Sequence, residues 1–372
     1  MRRPRPQAPT RRAVLAGGVA GGLTAGFAPA LSWADAGDPR YLAAARHPGG
    51  DYRLHGLAED GTSLFSLPLP DRGHAAASHP SEAVAVAFAR RPGTFALVID
   101  CPRGTILHRL AAPEGRHFYG HGTYSLDGSV LFTTENDYEG GEGRIGLWSA
   151  TEGYRRMGEI ASGGIGPHEV VRLPGGDVLA VANGGILTHP DTGRAKLNLP
   201  TMRSTLTYLT VEDGVIEQVA LPDDLRLNSI RHLAVSAEGK VAMAMQWQGS
   251  LSEVPALAAL HRRGDPAPTT MTAPPPDQRA TRGYAGSVAF SRDGGAVAIT
   301  APRGGRMHVF DTATADHRAT LERVDICGVA RGPAGFLATD GTGGVMAVDG
   351  TGRPVSAPRT NALAWDNHLV AV

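Results

Sequence analysis

Cysteine occurs only twice in 372 residues, as Cys101 and Cys327, too few for the disulfide framework of a small stapled domain. Surplus positive charge is missing too: 36 basic residues face 36 acidic ones. Outside the N-terminus no lysines or arginines cluster, so nucleic-acid binding, which draws its affinity from phosphate neutralisation, has no support. After residue 36 no apolar run reaches the roughly 20 residues that span a bilayer, which argues against stable membrane insertion. Helix-length amphipathic patterns are nearly absent, as is any glycine-rich phosphate loop between strand and helix, so a two-domain α/β enzyme is disfavoured. No nucleophile elbow, Ser/His/Asp order or glycosidase-like carboxylate pair stands out either.

What is present begins with an export signal. Arg2, Arg3, Arg5, Arg11 and Arg12 precede an uncharged Ala/Gly-rich run from Ala13 to Ala34. Thr10-Arg11-Arg12-Ala13-Val14-Leu15 fits the twin-arginine pattern, and Ala34-Asp35-Ala36 is a small-x-small cleavage site. The expectation is a signal over residues 1–36, read by the twin-arginine translocase, and a single mature domain over 37–372 in the periplasm. Removing five arginines and Asp35 leaves 36 − 5 = 31 basic and 36 − 1 = 35 acidic residues, a mildly acidic chain near −4. Twin-arginine substrates fold before export, so nothing demands a Cys101–Cys327 bridge.

With 49 glycines and 27 prolines the chain turns often, and short β-type runs recur, among them Ala83 to Phe88, Val130 to Thr133, Lys240 to Met245 and Ala296 to Ile299. They repeat. His121-Gly-Thr-Tyr-Ser-Leu-Asp-Gly128, His232-Leu-Ala-Val-Ser-Ala-Glu-Gly239 and Ser287-Val-Ala-Phe-Ser-Arg-Asp-Gly294 each precede a strand. Weaker copies start at His74, His168 and Cys327, and His368-Leu-Val-Ala-Val372 ends the chain as a lone strand. The starts at 74, 121, 168, 232, 287, 327 and 368 are spaced by 47, 47, 64, 55, 40 and 41 residues, the period of propeller blades. The prediction is an all-β, seven-bladed β-propeller, closed by pairing the C-terminal strand with N-terminal strands from Tyr41 to Leu69. The two long gaps, roughly Thr188 to Arg203 and Ser250 to Gln278, read as polar or Pro-rich surface insertions.

Five of the fourteen histidines fall on one repeat position. In a propeller that position begins the inner strand, so His74, His121, His168, His232 and His368, with Cys327, would ring one mouth of the central channel. Loops between second and third strands open on the same face and would add Arg90, Arg91, Glu135, Asn136, Asn183, Gln246, Trp247 and Arg303, with Arg116 nearby as a counter-charge. Imidazoles with a thiol suit a transition metal, Fe, Cu or Zn. A pocket for an anionic or polar ligand, and histidines that merely hydrogen-bond neighbouring blades together, are the competing readings. Glu135 could serve as an acid or base; solvated loop carboxylates are commoner.

Longer strings carry a resemblance. Phe88-Ala-Arg-Arg-Pro-Gly-Thr-Phe-Ala96, Pro113-Glu-Gly-Arg-His-Phe-Tyr-Gly-His121, Thr134-Glu-Asn-Asp-Tyr138, Gly163-Gly-Ile-Gly-Pro-His-Glu169, Val181-Ala-Asn-Gly-Gly185 and Ile230-Arg-His-Leu-Ala-Val235 are similar to the bacterial domain-of-unknown-function family numbered 1513. The resemblance runs from about Tyr41 to Val372. It implies a periplasmic propeller-like protein encoded beside imelysin-type iron-regulated and di-haem oxidoreductase-like proteins, hence a partner role in iron acquisition. It supplies no catalytic residue and no cofactor. The leading expectation is therefore a non-enzymatic binding protein. The alternatives are a metal- or quinone-like-cofactor oxidoreductase, a lactonase-like hydrolase on the same face, and a scaffold that recruits a protein partner.

Overall fold

The computed structural model describes residues 31–90 and 94–372; the twin-arginine segment lies outside the described residues. Seven four-stranded antiparallel sheets form a β-propeller. The inner strands of blades 1 to 7 are Gly73–Ser78, Arg116–Tyr124, Pro167–Arg172, Asn228–Val235, Ser287–Phe290, Ile326–Gly332 and Ala364–Ala371. Each packs on the inner strand of the next blade, and the seventh returns to the first.

Second and third strands are covered on both sides by neighbouring blades. They therefore read as unbroken small apolar runs: Val84–Ala89, Ala96–Asp100 and Ala296–Ala301 are almost wholly buried. Fourth strands face solvent on one side; Thr105–Leu110 buries only its last residue. The repeated turn has one physical design. Ser125 Oγ donates to Asp127 Oδ1 (2.6 Å) and accepts from Val130 N–H (3.0 Å). Ser291, Asp293 and Ala296 reproduce both bonds at 2.6 and 2.9 Å. Gly128 and Gly294 complete these turns at φ of +77° and +71°, a region costly for a side chain.

Closure occurs as predicted. Ala364–Ala371 pairs antiparallel with Tyr41–Arg46, which continues into Tyr52–Leu57 and Ser63–Leu69 to make blade 7. The segment 188–203 is a surface excursion with two single-turn 3-10 pieces. The segment 250–278 is not. Ala258–Arg262 and Thr269–Met271 are the outer strands of blade 4, the former buried over its first four residues, followed by a short helix, Pro275–Ala280. The prolines that suggested an insertion sit in the connections around these short strands.

Residues 31–36 belong to the folded unit. Trp33 joins the core beside blade 1, its indole N–H donates to His79 O (2.9 Å), and Ala83 N–H donates to Leu31 O (2.7 Å). Cleavage after Ala36 would remove this contact.

Candidate functional site

Each hub histidine sits at an irregularity in its strand. The pairing of inner with second strand shifts between Gly73 and Ala76, Phe118 and Gly122, Pro167 and Glu169, and Ile230 and His232, and the closing strand shifts around His368. A bulge re-aims the extra side chain, here toward the propeller axis. Gly120, at φ +94°, permits the closest approach: a Cβ there would stand 2.6 Å from His74 Cδ2.

The structure brings all five imidazoles together. Ring centroids are 4.8 Å apart for His74 and His121, 5.0 Å for His121 and His168, 4.8 Å for His168 and His232, 4.6 Å for His232 and His368, and 4.5 Å for His368 and His74. The rings lie inside the shaft rather than at a mouth, because His121 and His232 are the sixth and fifth residues of strands that begin earlier than expected. Two triads, His74/His121/His368 and His121/His168/His232, place ligand nitrogens within 4.8 Å of one another and share His121.

Glu169, which the sequence did not single out, anchors the cluster. Its carboxylate lies 3.6 Å from His121 Nδ1 and 3.2 Å from His232 Nδ1, and accepts from Leu233 N–H at 3.0 Å. Burial pushes this carboxyl up, but the two imidazoles outweigh burial and hold it well below the ordinary carboxylate range. An ionised Glu169 fixes protons on the Nδ1 atoms facing it and leaves the Nε2 atoms as acceptors, the usual support for a metal-bound histidine. His121 Nε2 accepts a hydrogen bond from His74 Nε2 at 3.2 Å. That is close to the edge of about 3.3 Å expected when two nitrogens share a tetrahedral ion at 2.0–2.1 Å.

Three buried ring nitrogens, His74 Nδ1, His168 Nδ1 and His368 Nε2, have no hydrogen-bond partner. Burial first, and then neighbouring imidazoles, push His74, His168 and His368 far below 6.5; burial also lowers His232 despite Glu169. Neutral imidazole is the ligand form.

These four depressed values set an acid limit. Unfolded, each ring protonates near its ordinary value; folded, each resists until lower pH. The stability they contribute is present above about pH 6.5 and is lost as pH falls toward the folded values, each ring costing at most about 1.4 kcal/mol per pH unit. Glu169 adds to the loss only below its ordinary range. Metal-free protein should keep its melting temperature between about pH 8 and 7 and lose it steeply between about 6.5 and 5; a flat profile would contradict the burial of neutral rings.

Cys327 occupies the repeat position in blade 6 but does not join the cluster. Its thiol bonds to Trp365 O (3.5 Å) and Asp366 O (3.4 Å), turned between blades, and burial pushes its pKa up. Cys101 is also buried and free. The loop residues expected at the same mouth are engaged elsewhere. Arg90 Nη1 and Arg72 Nε grip buried Asp366 at 2.6 and 2.5 Å, while Asn367 donates to Tyr284 Oη (3.1 Å), on whose ring Arg303 stacks at 4.2 Å. These contacts lie at the face at which the inner strands begin.

Arg116 pairs with Asp137 and Glu159, and Glu135 is fully buried against Arg156 in a bidentate pair at 2.7 and 2.9 Å. Asn136 donates to Thr188 O, Asn183 to Ser162 O and Thr207 Oγ1, Gln246 to Ala285 O and Trp247 to Ser250 O. Arg91 lies outside the described residues. These donor groups thus hold loops and strands, while Asn136 Oδ1 is buried without a partner.

Access comes from the opposite face. A cavity of about 940 Å³ runs from His232, His368, Glu169 and Ser287 along the downstream halves of the inner strands to Arg40, Arg292 and Arg331. None of the eight described loop candidates lines it.

With this geometry in hand, comparison with known proteins places the chain. The family profile described as protein of unknown function, DUF1513, matches residues 67–372. The chain belongs to the DUF1513 family. None of the curated proteins matches this DUF1513 member in sequence. Among solved structures it is similar to Kuenenia stuttgartiensis hydrazine synthase, with a TM-score of 0.55 and 13% identity over 79% of this chain and 87% of that one. At that identity the likeness is one of propeller fold alone.

Proposed function

We propose that this DUF1513 protein is a periplasmic metal-binding propeller that holds one divalent transition ion, Fe, Cu or Zn, at its hub. The observation that carries the reading is the pair of histidine triads sharing His121, with Glu169 fixing the tautomers of His121 and His232. An all-imidazole donor set with a nearby carboxylate suits Zn, Cu and Fe and gives no reason to bind Ca or Mg. Depressed imidazole pKa values remove most of the proton competition that weakens metal binding near neutral pH.

The test is titration of purified, metal-stripped protein with each ion. One equivalent should bind, and Glu169→Gln should bind about 10- to 100-fold more weakly while melting normally. Failure of every ion to bind stoichiometrically, or an unchanged affinity in Glu169→Gln, would overturn the reading.

Export by the twin-arginine route, and service in iron acquisition beside imelysin-type and di-haem oxidoreductase-like partners, are part of the proposal and rest on the Arg11-Arg12 signal and the family resemblance. The docking of Leu31 and Trp33 favours cleavage after Ala28-Pro29-Ala30, another small-x-small site, over cleavage after Ala36. Intact mass of the exported protein should correspond to a chain starting at Leu31; a start at Gly37 would refute this.

A further inference from the structure

Five consecutive blades, from 7 through 1 to 4, send imidazoles to the hub, whereas blades 5 and 6, side by side, do not. Blade 5 carries Ser287, which pairs in unbroken register with Thr300 and lacks the bulge of the other blades. Blade 6 carries Cys327, turned away. His232 and His368, from the blades flanking this gap, meet across it with centroids 4.6 Å apart. Beneath these two rings, between the inner strands of blades 4, 5, 6 and 7, lies the cavity.

Its composition changes with depth. The floor is His232, His368 and Glu169, the side chains between floor and rim are largely aliphatic, including Val171, Val288, Val329 and Val370, and the rim carries Arg40, Arg292 and Arg331 against one carboxylate, Glu59. Arg40 is itself paired with Asp38 at 3.2 Å. Arg292 is paired with Glu59 at 3.3 Å, whereas Arg331 has no ion-pair partner within 4.0 Å among the described residues. A volume of about 940 Å³ is that of a small-molecule site rather than a water channel. Arg331, at the mouth of a low-dielectric shaft, attracts anions to it.

We propose that this cavity is a ligand chamber for an organic monoanion with an apolar body, an aryl or alkyl carboxylate or phenolate, whose acidic oxygen reaches the hub ion on the side of His232 and His368. The inference rests on the metal reading for its inner end and on the cavity alone for its body. Blades 5 and 6 lack imidazoles so that the ion keeps one side open. Arg331 draws the anion in and the aliphatic wall holds its body, while the ion pairs of Arg72 and Arg90 with Asp366 lie at the other face.

The experiment uses cobalt(II) as the ion and benzoate as the probe. Cobalt content is measured first, and benzoate is then titrated while the visible cobalt bands and equilibrium dialysis are followed. Ala234→Trp and Val370→Trp fill the chamber from half-buried lining positions, so at least one should fold. Each folded variant should keep its cobalt and bind benzoate at least about tenfold more weakly, a loss of about 1.4 kcal/mol. Arg292→Glu with Arg331→Glu should weaken binding in a salt-dependent manner, and the ammonium ion benzylamine should not compete.

Saturable benzoate binding that the tryptophans remove, with a change in the cobalt bands, supports the whole proposal. Benzoate binding that the tryptophans remove in a protein that takes up neither cobalt nor Fe, Cu or Zn supports the chamber and overturns the metal reading. A protein holding one cobalt per chain that binds no benzoate, or binds it equally well with the tryptophans in place, overturns the chamber and leaves the metal reading standing.

Discussion

Replacing His121 with alanine is expected to lower metal affinity more than about 100-fold, beyond the usual cost of losing a supporting residue, while the propeller still folds. His121 is the member common to both triads, and its Nε2 faces His74 Nε2 at 3.2 Å. His168→Ala and His74→Ala each break one triad and leave the other, so their losses should be smaller. The ranking can be read by competition against a chromophoric chelator, with far-UV circular dichroism confirming the fold. Equal losses for all three would mean that one ion does not sit at the shared ring. No loss for His121→Ala would mean that the cluster holds no ion.

Truncation after Leu363 is expected to abolish cooperative folding. The lost strand is the inner strand of blade 7, which pairs with Tyr41–Arg46 and packs on the inner strands of blades 6 and 1. Trp365 and Leu369 are buried, and each contributes about 2–3 kcal/mol by burial alone. Together they account for a large share of a net stability of about 5–15 kcal/mol, before lost ladder bonds are counted. Opening the ring also exposes a strand edge, which invites aggregation. The full chain should unfold in one sharp transition and the truncated chain in none. A His368→Ala control separates loss of the imidazole from loss of the strand; a truncated chain with a near-normal melting temperature would show that closure is dispensable.

The fold was legible because its strongest signals are local. The Ser-x-Asp-Gly turns at Ser125 and Ser291 form the same hydrogen bonds wherever they occur, so their spacing counts blades. The outer half of blade 4 was misread because Ala258–Arg262 is five residues long and Thr269–Met271 three, too short to stand out among flanking prolines.

The histidine cluster was legible from register alone, but its chemistry was not. Adjacent strand residues normally point to opposite sides, so His168 gave no reason to look at Glu169; the bulge between Pro167 and Glu169 brings both to the hub. Cys327 shares the repeat position yet turns between blades, a rotamer choice that register does not determine. The ion pairs of Arg72 and Arg90 with Asp366 join side chains distant in sequence, which repeat spacing does not reveal. Glu135, which read as a loop acid, is a fully buried partner of Arg156, contributed by a strand whose sequence shows no ion pair.

The most direct test is anomalous X-ray scattering from crystals of protein purified from its native host, recorded on both sides of the Fe, Cu and Zn absorption edges. The account predicts a single strong peak on the propeller axis, about 2.0–2.2 Å from Nε2 of His121 and of at least one neighbouring imidazole. A hub with no anomalous peak in crystals whose surface sites or solution hold the ion, or rings hydrogen-bonded to ordered water in its place, would contradict it.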